Sequence, residues 1–116
     1  ERKDPAIQEG MTTLLANLPN EKQKNVYYWY YATQVMHNLP GEQWDAWNRQ
    51  MRRVLIDSQE KEGCAKGSWD PDGHGFGDEG GRIFVTSLSA LTLEIYYRYL
   101  PLYKTDEPQP FKAAAR

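Results

Sequence analysis

The chain has 116 residues, 14 Lys and Arg against 16 Asp and Glu, and a formal charge of −2. That length supports one domain with a modest core, and the near balance of charge gives no basic footprint for nucleic acid or an anionic membrane. The single cysteine, Cys64, excludes an intrachain disulfide framework and a cysteine-rich zinc site, and no apolar run reaches the roughly 18 residues that a membrane-crossing helix needs.

The chain opens Glu1-Arg2-Lys3-Asp4, with neither Met nor a leader pattern, and reads as a fragment of something longer, its compartment unspecified. Asp4-Pro5 is a helix start, Asp as N-cap and Pro at the first helical position. Ile7, Met11, Leu14, Leu15 and Leu18 then recur at three- and four-residue spacing, which predicts an amphipathic helix that Pro19 stops. Asn20 followed by Gln23 resembles a capping box, so a second helix is expected over 22–38. It contains Val26-Tyr27-Tyr28-Trp29-Tyr30-Tyr31, with aromatics on every face, and a helix of that kind is buried on more than one side.

Pro40-Gly41 ends that segment. A third helix is expected over 41–60, with Trp44, Trp47, Met51, Val54 and Leu55 as its single apolar stripe and Gly63 as a left-handed C-cap. Arg49, Arg52, Arg53 and Lys61 read as a solvated outer face. The segment 63–81 holds seven of the nine glycines, so it is expected to be a loop with unusual backbone angles. A fourth helix over 83–99 is apolar on most faces, with Ser87, Ser89 and Ala90 permitting close approach, and Pro101 ends it. The prolines and polar start of 104–116 predict a flexible tail.

The order is one-sided, all-round, one-sided, all-round. That pattern is an internal repeat of about 50–55 residues, each unit one outer and one inner helix. The units span about 4–38 and 41–100 within a region 1–103. Two units leave their inner helices half covered, so further units or association of copies is expected to cover them.

Val54-Leu55, then Gln59, then Gly67-Ser68-Trp69 resembles the QW motif of the prenyltransferase and squalene-oxidase repeat. Gly80-Gly81-Arg82-Ile83-Phe84-Val85-Thr86-Ser87-Leu88 is similar to the start of an inner helix of that repeat. The chain is also similar to bacterial repeat proteins of this group in its Trp-Asp-Pro and its Leu-Glu-Ile-Tyr-Tyr-Arg-Tyr ending. Seven residues separate Gln59 from Gly67, longer than the usual QW spacing. The resemblance implies an all-α fold, part of an α/α toroid built from two outer/inner helix pairs. It assigns Gln59, Gly67 and Trp69 to the structural repeat motif.

The resemblance does not by itself imply an activity. Cyclases of this group use an Asp-x-Asp-Asp acid, and the acidic clusters here, Asp70-Pro71-Asp72, Asp78-Glu79 and Asp106-Glu107, do not match it. Where a prenyltransferase would place its zinc His, just before Thr86, this chain has Val85. Cys64 is followed by Ala65-Lys66-Gly67, which does not match thioester chemistry. Asp70, Asp72 and His74 alternate like a calcium loop, but its twelfth position would be Gly81 rather than Glu. His37, His74 and Cys64 lack a catalytic partner at a telling spacing and read as structural residues.

No catalytic, metal or cofactor residue is therefore assigned. The candidate cavity-lining residues are Tyr27, Trp29, Tyr31 and Arg82. Two functions are carried forward. One is a non-catalytic binding or scaffold module for a hydrophobic small molecule or a protein, with self-association through the inner helices as a further route. The other is the C-terminal portion of a terpenoid-cyclase-like enzyme whose acid lies outside this fragment. Nucleic acid is not an expected partner.

Overall fold

The computed structural model describes residues 4–39 and 41–98. The expected tail at 104–116 lies outside the described residues. Within them the chain forms four helices, α1 (Pro5–Ala16), α2 (Val26–His37), α3 (Glu42–Ser58) and α4 (Gly77–Arg98), and no strand.

Asp4 caps α1 as its position predicts, its carboxylate accepting from the Ala6 N–H at 2.9 Å. α1 ends at Asn17, short of Pro19. The second helix starts later than the Asn20–Gln23 pattern predicts. Asn20 does accept from the Lys22 and Gln23 N–H groups, but this closes only an isolated turn. The cap of α2 is Asn25, which accepts from the Tyr28 N–H at 3.0 Å. The reason is non-local. The Lys24 carbonyl accepts from the Gly75 N–H, and that bond holds the chain out of a helix just ahead of Asn25.

α3 buries Trp44, Trp47, Met51, Val54 and Leu55, the stripe its periodicity predicts. Gly63 does not cap it. Gln59 occupies the C-cap, and Gly63, with φ 70°, sits in the following turn. Lys61 takes the capping role instead, its ammonium donating to the Ile56 and Asp57 carbonyls at 3.0 and 3.1 Å. Gly81, with φ 67°, divides a short helical turn at Gly77–Gly80 from the long run of α4.

Successive helices meet end to start. Tyr28, near the start of α2, donates to the Asn17 carbonyl at the end of α1. Trp44, near the start of α3, packs its ring on His37 at the end of α2. Trp69, ahead of α4, donates its indole N–H to Leu55 near the end of α3. α2 and α3 run antiparallel, because Thr33, one turn before His37 on α2, takes the N–H of Trp47, one turn beyond Trp44 on α3. The α2–α4 contact is the most extensive between helices.

The core lies between the pairs, around Trp47, Met36, Met51, Leu55, Val26 and Val85. Two tryptophan N–H groups are satisfied by threonine hydroxyls of the two even-numbered helices. Trp47 Nε1 donates to buried Thr33 at 2.9 Å, and the Trp69 backbone N–H donates to Thr86 at 3.1 Å. The Thr33 hydroxyl in turn donates to the Trp29 carbonyl, so no polar group of this trio is stranded.

Candidate functional site

α2 contains no Asp, Glu, Lys or Arg. One stripe of it is left open: Tyr27, Tyr31 and Val35 are 43, 52 and 49 % exposed. These positions repeat every four residues and share one face. Their rings meet edge to face, Tyr27 with Tyr31 at 4.9 Å and Tyr30 with Tyr31 at 5.2 Å. The Tyr27 phenol, by its charge and its hydrogen bond, raises the pKa of Tyr31. The exposed Phe76 ring joins them from the long loop, 5.4 Å from Tyr27. On α4, Ile83 and Leu91 are also exposed.

Phe76 stands at φ 62°, in the left-handed region. For a bulky residue this costs about 1–2 kcal/mol. The flanking glycines allow the turn. Gly77 N–H donates to the His74 carbonyl, and a Cβ on Gly77 would strike the Pro71 carbonyl. The loop is thus held closed beneath the ring of Phe76.

A latch fastens this loop to α2. His74 Nδ1 accepts from the Val26 N–H at 3.2 Å, supplying a cap to the first turn of α2 from 48 residues away. Its ring lies edge to face on Trp29 at 5.5 Å. Burial first, and then the charge of Lys24, lowers the His74 pKa to about 4, so the imidazole is neutral and Nδ1 is free to accept. Asp70 has its pKa lowered, chiefly by the Asp72 N–H and also by Arg82.

The four candidate cavity residues separate. Tyr27 and Tyr31 lie on the open stripe. Trp29, two residues from each and so on the opposite face of the same helix, is 2 % exposed and belongs to the core between α2 and the loop. Arg82 turns to the loop, donating to Ser68 at 3.0 Å and pairing with Asp70 at 3.2 Å. The Gln59, Gly67 and Trp69 trio comes together. Gln59 Nε2 donates to the Gly67 carbonyl at 2.9 Å, Gly67 holds φ 84°, and Trp69 Nε1 donates to Leu55 at 2.8 Å. Both side chains bond within one helix pair, closing the 59–69 turn onto the end of α3.

Sequence reasoning did not find Phe76, Val35, Ile83 or the latch of His74. The Gly75-Phe76-Gly77 sandwich is the signal for the first, since paired glycines mark a turn that exposes what lies between them. Two open clefts flank the site. One, of about 470 Å³, is lined by Asn17, Asn20, Lys24 and Tyr28. The other, of about 570 Å³, runs between α1 and α2 past Ile7, Met11, Leu14, Val35 and Leu39, continuing the open stripe.

Among the described residues, no cluster of three His, Cys, Asp or Glu side chains is placed to hold a metal ion. No helix among them is long and apolar enough to cross a membrane. Cys64 is exposed and free. No protein-family model, curated protein or solved structure matches this chain.

Proposed function

We propose that the chain is a two-unit segment of an α/α toroid-type repeat, of the prenyltransferase and squalene-oxidase kind it resembles. In this reading it is a binding or scaffold module whose inner-helix face takes an apolar occupant. The antiparallel α2–α3 pair and the extensive α2–α4 packing support the outer/inner assignment, and the joined Gln59–Gly67–Trp69 turn supports the repeat motif. The observation that carries the function is the uncharged, solvent-open stripe Tyr27, Tyr31 and Val35, with Phe76 held against it in a strained backbone. A contiguous exposed apolar patch marks an interaction surface, and backbone strain persists where it serves a site.

Native mass spectrometry of the chain isolated from cells, with small molecules retained, tests this directly. Fluorescence of the apolar dye anilinonaphthalene sulfonate, compared between wild type and Tyr27→Ser, places the binding. A retained apolar molecule, or dye binding that Tyr27→Ser abolishes, is the expected result. An isoprenoid in the spectrum would direct the search to cyclase-type chemistry with an acid supplied from outside these residues. A chain that carries nothing apolar and binds no dye would refute the binding face.

A further inference from the structure

The repeat reading above leaves open what covers the free flanks of the two inner helices. α2 and α4 can be laid over each other with Thr33 on Thr86, the hydroxyls that accept the Trp47 indole N–H and the Trp69 backbone N–H. In that register Ala32 falls on Val85 and Met36 on Ser89, all four buried. The two helices differ at their flanks, and in opposite senses. Tyr31 and Val35 of α2 are exposed, whereas their counterparts on α4, Phe84 and Leu88, are packed against the core. Ile83 of α4 is 84 % exposed, whereas its counterpart on α2, Tyr30, is half-buried. α4 thus buries the side that α2 leaves open, and α2 covers the side that α4 leaves open.

We propose that a second copy of this chain covers these flanks head to tail. The free α4 flank at Ile83 of one copy lies on the free α2 flank at Tyr31 and Val35 of the next, and the contact repeats between copies the α2–α4 packing present within each. This continuity with an interface already in the fold singles out a copy over an unrelated protein. The α2 side of this contact is uncharged, with no ionised side chain from Val26 to Gln34. The contact joins two unlike surfaces, so it is heterologous and either closes into a ring or extends as a filament.

Light scattering on the purified chain across a dilution series reads the outcome, with Tyr31→Glu and Ile83→Glu as variants. Both positions are exposed, and circular dichroism verifies that each variant stays folded. The wild type is expected to be larger than a monomer and to shrink on dilution. Each variant alone is expected to be monomeric, because every contact needs one intact flank of each kind. A mixture of the two variants is expected to form one-to-one dimers that grow no further. A monomeric wild type overturns the proposal, as does a variant that still assembles alone or a mixture that stays monomeric. A monomeric wild type that still binds the apolar dye at Tyr27 would overturn self-association and leave the binding face standing. Loss of both would fall on the reading beneath.

Discussion

The His74 latch makes the stability of this fold sensitive to mild acid. Nδ1 can accept from the Val26 N–H only while the imidazole is neutral. In the folded chain the group titrates at about 4, against 6.5 for an unhindered histidine. Between those values the unfolded chain binds the proton and the folded chain does not. Stability is therefore fully present above about pH 6.5 and falls as pH drops toward 4. Each unit of difference is worth about 1.36 kcal/mol at full effect. His74 is only half-buried and solvent screens it, so a loss of about 1–2 kcal/mol is the reasonable magnitude. The groups facing it are Lys24 and Asp70, with Trp29 beneath the ring. Urea unfolding of wild type and His74→Gln at about pH 7 and about pH 4.5 isolates this contribution, because the carboxylates titrate alike in both. Wild type should lose more stability than the variant over that interval. Equal losses, or a His74 ring resonance titrating near 6.5, would refute the latch.

Three further predictions follow from single contacts. Thr33→Val strands the buried Trp47 N–H and should cost about 1–3 kcal/mol; combined with Trp47→Phe it should cost less than the two separately, and additive costs in a double-mutant cycle would show the bond to be inert. Phe76→Gly relieves the left-handed strain, and urea unfolding should show about 1 kcal/mol of gained stability while apolar-dye binding falls. Unchanged dye binding would remove Phe76 from the face. Gly77→Ala drives a methyl group into the Pro71 carbonyl and should destabilise by roughly 1–3 kcal/mol in the same assay, and a neutral result would mean the loop is looser than described.

The local elements were legible because their causes are local. Asp4-Pro5 caps α1 within two residues, and the α3 stripe from Trp44 to Leu55 needs only helical spacing and one core to face. The bonds of the Gln59–Gly67–Trp69 turn are likewise short in sequence, spanning 8 and 14 residues. The all-helical class follows from those patterns and holds among the described residues.

The open face was not legible, and α2 shows why. A run of Tyr27-Tyr28-Trp29-Tyr30-Tyr31 offers a ring in every direction, so hydropathy cannot say which rings the core takes. The placement of α3, α4 and the loop decides it, burying Trp29 and leaving Tyr27 and Tyr31 outside. The start of α2 was decided the same way, by Gly75 and His74 reaching the chain around Lys24 and Val26. Composition and spacing by themselves determined that this chain makes helices and which faces of α1 and α3 turn inward, because those depend on neighbours a turn away. Only the tertiary structure decided which aromatics meet solvent, because that depends on a loop almost fifty residues distant in the chain.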